Sequence, residues 1–345
     1  MSEIEVGVLG ATGVVGQQFV SRLARHPWFK LTWLAASERS EGKAYKSVAP
    51  WRLATPMPAE SAERMVEACV PGRGPKVVFS GLDASVAGDI ESAFAAAGHI
   101  VVSNARNFRM DPLVPLLIPE VNADHLALLP EQRAAKGWSG AIVTNPNCST
   151  VVLAMALAPL RLFGISSVVV STMQAVSGAG YPGVPSLDIL GNVVPFIGGE
   201  EEKMETETLK ILGSDGGRVP YEAAVSAHTN RVPVIDGHTM TVSVGFHNPP
   251  PLDEIAAAIR AFAGRPQELK LPTAPQPALV LMDEPNRPQP RLDADLGGGM
   301  AISIGRLRAC PVLHAKFVAL GHNTVRGAAG AAILNAELMH AEGVL

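Results

Sequence analysis

Glycines at positions 10, 13 and 16 limit the fold of this chain more than any other feature. The run before them, Ile4-Glu5-Val6-Gly7-Val8-Leu9, alternates and then turns apolar, which predicts a central strand. After them, Val14, Val15, Phe19, Val20 and Leu23 recur at helical spacing as far as His26-Pro27. Strand, G-x-x-G-x-x-G and helix in direct succession form the arrangement that seats a dinucleotide. Glycine lets the backbone turn tightly and approach the ligand, and a pyrophosphate rests on the amides of the helix N-terminus. An ordinary tight turn is the competing reading.

The following stretches extend the pattern. A second strand is predicted over about Leu31–Ala35. At its end stand Ser37-Glu38-Arg39-Ser40, where an NAD enzyme usually carries an acid for the ribose hydroxyl. Arg39 flanked by the hydroxyls of Ser37 and Ser40 suits a 2′-phosphate and favours NADP; Glu38 leaves NAD open, and a solvated loop is the plain alternative. The segment Tyr45–Pro75 reads as irregular. Lys76–Ser80 reads as a strand, Ala84–Ala97 as a helix and Ile100–Ser103 as another strand. A loop with Arg106 and Arg109 follows a strand end, the edge at which parallel sheets bind ligands. Arg109 is there a candidate anion clamp or a surface arginine. Strands alternating with helices this far predict a parallel sheet of Rossmann type.

Thr144-Asn145-Pro146-Asn147-Cys148-Ser149-Thr150 lies between a strand-like run, Ala141-Ile142-Val143, and a helix-like run from Val151 to Leu157. Pro146 removes a donor and restricts Asn145, so the chain must turn. Cys148 then falls at or just inside a helix N-terminus, where unpaired amides and the macrodipole favour a thiolate. It is a candidate nucleophile, although a buried small hydrophobe is the commoner fate of a free cysteine. Three cysteines in 345 residues, Cys69, Cys148 and Cys310, are too scattered for a disulfide framework and point to a reducing cytoplasm. The histidines lack paired-ligand spacing and no Cys-x-x-Cys occurs, so no metal site is expected. A net charge of −4 without a basic run argues against nucleic acid. Neither a leader at the N-terminus nor a bilayer-spanning apolar run is evident.

Beyond Cys148 the pattern changes. Val168–Val176 reads as a long strand, followed by the glycine loop Ser177-Gly178-Ala179-Gly180-Tyr181-Pro182-Gly183, which could lie against a cofactor or be a linker. Glu200-Glu201-Glu202-Lys203 opens a helix with acids in its first turn, which the macrodipole alone explains. Val232–Val234 and Met240–Phe246 read as two strands joined through Asp236-Gly237, a hairpin that would bring Arg231 and His238 to one sheet end. A histidine there is a candidate general acid or base, or a structural one. Leu252–Ala263 is an amphipathic helix, and Pro285–Gly299 an arm or long loop. Met300–Leu307 and Val312–Leu320 are strands, and a helix from Asn323 to about His340 is expected to return to the first domain.

Together, Gly10-Ala11-Thr12-Gly13-Val14-Val15-Gly16, Asn145-Pro146-Asn147-Cys148, Gln174 to Gly180, Glu200-Glu201-Glu202-Lys203, Arg231 to His238 and Asn323-Thr324-Val325-Arg326-Gly327-Ala328 resemble aspartate-semialdehyde dehydrogenase. Pro288-Gln289-Pro290-Arg291 and Gly298-Gly299-Met300 look like the branch described from archaea and fungi. The resemblance runs in order through nearly the whole chain. It implies an α/β fold: an N-terminal Rossmann-type parallel sheet with an inserted α+β catalytic and dimerisation domain. Residues 1–147 with 323–345 would bind NADP, and 148–322 would form the inserted domain. The implied reaction is the NADPH-dependent reductive dephosphorylation of L-aspartyl 4-phosphate to aspartate semialdehyde, toward lysine, threonine and methionine.

By the same resemblance Cys148 is the nucleophile and His238 the acid/base. Gln174 and Arg231 hold the substrate, Arg231 through its α-carboxylate. Glu200 holds the amino group, with Glu201 left open, and Lys203 with Arg109 holds the phosphate. Gly10, Thr12, Gly13, Val14, Val15, Ser37, Arg39, Ser40, Ser177, Gly178 and Asn323 contact NADP. A homodimer or homotetramer is implied. Malonyl-CoA reductase is the nearest rival, N-acetylglutamyl-phosphate reductase has a different setting around its cysteine, and a non-catalytic dinucleotide-binding protein would not need Cys148, His238 and Arg231 together.

Overall fold

The computed structural model describes residues 3–345; Met1 and Ser2, with which the expected first domain and the leader reading begin, lie outside them. The chain forms two compact units. One holds the residues up to Leu117, Asp124–Asn145 and Ala328–Leu345; the other holds Ile118–Ala123 and Pro146–Gly327. The expected bounds differ at three places: the first crossing lies at Asn145, the return at Ala328, and Ile118–Ala123 makes an excursion that no composition shift announces.

In the first unit six strands, β1 (Ile4–Leu9), β2 (Phe29–Ala36), β3 (Glu67–Ala68), β4 (Val77–Ser80), β5 (Ile100–Ser103) and β6 (Ala141–Thr144), form one sheet. Their order is β3-β2-β1-β4-β5-β6 and every pairing is parallel. Strand order reverses between β1 and β4, so a ligand crevice opens beyond their carboxyl ends. β4 and β5 are buried at every residue, as in a sheet covered on both faces. Leu9, Trp33, Phe94, Val101 and Ile142 share its core. Helix α1 (Val14–Leu23) follows the glycine turn and α2 (Ala84–Ala96) follows β4. Tyr45–Pro75 is less irregular than its composition suggests. It contains the turns Tyr45–Val48 and Ala59–Ala62 and the edge strand β3, and the fully buried Tyr45 hydroxyl donates to Ala11 O at 2.8 Å. The helix Gly330–Ala341 belongs to this unit, buried from Gly330 to Met339.

In the second unit β7 (Ile165–Gln174), β8 (Ala224–Arg231), β9 (His238–Phe246), β10 (Leu279–Met282), β11 (Ile302–Ala309) and β12 (Ala315–Gly321) form a mixed sheet, ordered β10-β11-β12-β9-β7-β8. Helix α3 (Cys148–Leu157) is buried at every residue after Cys148 and packs on β9, β11, β12 and α4 (Glu200–Leu212). A helix apolar all round belongs in a core. The amphipathic α5 (Leu252–Ala261) faces inward through Ile255 and Ile259.

Two expectations are corrected. Arg231 and His238 do not flank a hairpin. β8 pairs with β7 in parallel, β9 pairs with β7 antiparallel, and residues 232–237 cross over the end of β7 without strand pairing of their own. Pro233 has no amide to give a ladder, which keeps this segment out of the sheet. The last helix opens at Gly330, not Asn323. A π turn over Val325–Ala329 precedes it, with Ala328 at φ −151° and ψ −105°, outside helical geometry.

Candidate active site

The first unit holds a nucleotide cradle. A Cβ on Gly16 would lie 2.2 Å from Gly10 O, so only glycine lets α1 start this close to the turn. Gly13 at the helix N-cap is exposed and supplies no side-chain cap, and Val14 and Val15 begin the first turn half-buried. Their amides are the orphan donors that an anion can satisfy. Gln17 braces the turn from below: its Nε2 donates to Thr12 O at 3.0 Å and Pro50 O at 3.1 Å, and its Oε1 accepts from Arg52 N at 2.7 Å. Beside β2 a cavity of about 390 Å³ is lined by Ser37, Glu38, Arg39, Cys69, Leu82 and Ile90 among others. Arg39 is exposed there, and Ser40 is buried behind it. A glycine cradle, an uncapped helix start and a cavity with a guanidinium at its mouth fit a phosphorylated dinucleotide. Arg109 also lies in this unit, where its Nη2 donates to Asn104 O at 2.8 Å.

The second unit holds the sulfur. Asn147 is the N-cap of α3, its Oδ1 accepting from Ser149 N at 2.9 Å and Thr150 N at 3.2 Å, so Cys148 occupies the first helical position. Cys148 Sγ lies 3.2 Å from His238 Nε2. Ala175 N donates to His238 Nδ1 at 3.1 Å. An amide can only donate, so Nδ1 is the acceptor and the ring proton sits on Nε2, facing the sulfur. Burial, then Arg231 and His322, push the His238 imidazole down to about 3, so the ring is neutral near neutrality.

Arg231 Nη1 donates to Ala175 O at 2.8 Å. Ala175 thus grips the imidazole with its N–H and the guanidinium with its C=O. Burial lowers the Arg231 pKa, and the nearby Cys148 and Glu200 oppose that. Gly178 closes this corner: a Cβ there would come within 2.9 Å of Arg231 Nη1 and 3.0 Å of His238 Cε1. Asn323 ties the corner together, its Nδ2 donating to Ser177 Oγ at 2.7 Å and its Oδ1 accepting from Gly237 N at 2.9 Å. Gln174 is fully buried at the end of β7, its Nε2 within 3.3 Å of Thr172 Oγ1 and its Oε1 unpartnered. An unsatisfied buried acceptor at the same sheet end as Arg231 and His238 suits a ligand donor.

The three acids of α4 separate by direction. Glu200 is buried, its Oε1 accepting from Asn147 Nδ2 at 2.8 Å and its Oε2 lying 3.2 Å from Lys203 Nζ. Glu201 accepts from Thr229 N on β8 at 2.9 Å, and Glu202 is exposed. Only Glu200 of the three turns toward Asn147.

Sequence reasoning missed Gln17, Glu207 and Gly327. Glu207 Oε2 accepts from Asn147 N at 2.6 Å, and Glu200, Lys203 and Glu207 form one i, i+3, i+7 stripe that was open to view. A Cβ on Gly327 would strike Cys148 Cβ at 2.5 Å. No pattern of periodicity reports so distant a contact.

The sulfur, imidazole, guanidinium and carboxylate of the second unit form the constellation of acyl transfer through a thioester. Among the described residues no cluster of His, Cys, Asp and Glu could hold a metal ion, and no helix is long and apolar enough to cross a membrane.

Comparison with known proteins agrees with this geometry. The family model described as the semialdehyde dehydrogenase NAD binding domain matches residues 5–129, and the one described as the semialdehyde dehydrogenase dimerisation domain matches 157–326. Aspartate-semialdehyde dehydrogenase from Archaeoglobus fulgidus is 51% identical over 99% of both chains. That from Cryptococcus neoformans is 51% identical over 99% of this chain and 98% of its own. Among solved structures, the Candida albicans enzyme with NADP superposes at TM-score 0.91, with 43% identity and all of both chains covered. The Vibrio cholerae aspartate semialdehyde dehydrogenase II complexed with ASA gives 0.76 at 26%, over 99% of both. On the site's geometry and on full-length likeness of this degree, the chain belongs to the aspartate-semialdehyde dehydrogenase family.

Proposed function

We propose that this chain converts L-aspartyl 4-phosphate and NADPH to L-aspartate 4-semialdehyde, NADP and phosphate through a thioester on Cys148. The observation that carries the reading is the 3.2 Å approach of Cys148 Sγ to the proton-bearing Nε2 of His238. The start of α3 and that N–H both favour an ionised sulfur. The thiolate adds to the acyl carbonyl, the C–S bond forms, and the C–O bond to phosphate breaks with its electron pair on the departing phosphate. Lys203 and Arg109 neutralise that charge, and Gln174 and Arg231 hold the substrate, Arg231 through its α-carboxylate. Glu200 receives the amino group, which separates this substrate from an unsubstituted acyl group. When bound, the reduced nicotinamide supplies a hydride to the thioester carbonyl carbon. Collapse of the resulting tetrahedral species re-forms C=O and returns the thiolate, with His238 Nε2–H donating a hydrogen bond to the negative charge that develops on the sulfur.

The residues for NADP are Gly10, Thr12, Gly13, Val14 and Val15 for the pyrophosphate and Ser37, Arg39 and Ser40 for the 2′-phosphate. Ser177, Gly178 and Asn323 serve the nicotinamide half. The matched dimerisation domain supports a homodimer or homotetramer, and three cysteines too scattered for a disulfide framework support a cytoplasmic location.

The test is NADP reduction by the purified protein with aspartate semialdehyde and phosphate. Activity is expected in wild type and is lost in Cys148→Ala, while NADP still binds by fluorescence titration. Turnover with malonate semialdehyde and CoA, but none with aspartate semialdehyde and phosphate, would overturn the reading.

A further inference from the structure

We propose that Glu207 is a positioning residue for the reactive sulfur, acting through the backbone of Asn147. The proposal rests on Cys148 being the nucleophile. Asn147 is held at three points. Its Oδ1 caps α3, its Nδ2 donates to Glu200 Oε1 at 2.8 Å, and its backbone N–H donates to Glu207 Oε2 at 2.6 Å. The third contact falls on the residue that directly precedes Cys148.

That amide needs an external partner. Asn147 lies outside α3, so its N–H has no place in the helical ladder, and Pro146 before it has no N–H to share the acceptor. Asn147 is 6% exposed and Glu207 2%, so water does not serve it freely. A carboxylate accepting a buried amide makes a short, charge-assisted bond. Glu200 and Glu207 stand seven residues apart on one face of α4, and together they grip the side chain and the backbone of a single residue. Rotation of Asn147 about its backbone would swing Cys148 Sγ relative to His238 Nε2. Misplacement of about 1 Å in a reacting group can slow turnover roughly a hundredfold. Glu207 holds the amide of Asn147, and through that one peptide unit its effect reaches Cys148.

Kinetics and thiol chemistry on Glu207→Gln and Glu207→Asp test the proposal. Glu207→Gln keeps an acceptor at the same reach and is expected to stay within about threefold of wild-type kcat. Glu207→Asp withdraws the acceptor by one methylene. It is expected to lower kcat about 10- to 100-fold, with KM for aspartate semialdehyde within about twofold. It should slow iodoacetamide alkylation of the Cys148 peptide, followed by mass spectrometry, by a similar factor. Wild-type kcat and alkylation rate in Glu207→Asp overturn the proposal, as does a change confined to melting temperature. Should that variant not fold, the Asn147 amide proton decides: a low-field resonance that moves upfield in Glu207→Gln supports the contact, and an unmoved one overturns it. Wild-type protein inactive with aspartate semialdehyde would instead unseat the functional reading, and the alkylation rates would still report on Glu207.

Discussion

His238 sits within 3.2 Å of Cys148 Sγ, fully buried, with its Nδ1 occupied by the Ala175 amide. Its pKa is pushed down to about 3, against about 6.5 for an exposed imidazole. The unfolded chain therefore binds more protons than the folded one between these values. Folding stability is complete above about pH 6.5 and falls as pH drops toward 3, by on the order of a few kcal/mol from this group. Unfolding by urea at a series of pH values should show that slope, and His238→Asn should flatten it while lowering kcat about 10²- to 10³-fold, as the loss of a donor to a developing charge does. A wild-type stability that stays level from pH 7 to 4 would refute the buried neutral ring. Cys148 was legible because Pro146 forces a turn before an apolar run, a local cause with a local effect. Glu207 was not: the acids Glu200-Glu201-Glu202 draw the eye to the helix start, while its partner is a backbone amide 60 residues earlier.

Elements were legible where one residue period ran long enough. β1 and α1 fall where alternation and helical spacing put them, and β5 agrees to the residue. The supposed hairpin failed because Asp236-Gly237 marks a turn without saying what passes beneath it. β7 occupies the place between β8 and β9, and its own partner choice is a long-range matter. The consequence for chemistry is favourable: Gln174, Arg231 and His238 all end at the same edge of β7 and its two neighbours. The short turn Val176–Ala179 then packs onto that edge. Gly178→Ala would set a methyl against Arg231 and His238. The expected result is kcat/KM reduced at least about tenfold with unchanged far-ultraviolet circular dichroism. Wild-type kcat/KM would mean that the turn yields freely and that its fit to the pair is incidental.

At the scale of the whole molecule, the second unit contains a fully buried ion pair that no reading of the sequence could supply. Arg326 Nη1 and Nη2 donate to Glu120 Oε1 and Oε2 at 2.8 and 2.7 Å, across 206 residues, and Arg326 Nη2 also meets Met155 Sδ at 3.4 Å. Arg326→Met leaves a carboxylate buried alone and should cost about 3–5 kcal/mol in denaturant unfolding, whereas Arg326→Met with Glu120→Met should recover most of it. A single variant as stable as wild type would show the carboxylate to be solvated. The two-part architecture itself was foreshadowed by the change of pattern after Cys148, but the excursion of Ile118–Ala123 was hidden, since six residues carry no periodicity. Passage of the chain between its compact units at 117/118, 123/124, 145/146 and 327/328 has a further result. Neither half corresponds to an unbroken stretch of the gene. Synthesis must pass the whole of the second unit before Ala328–Leu345 can join β1 to β6, so the nucleotide-binding half, although begun first, is completed after the other has been made.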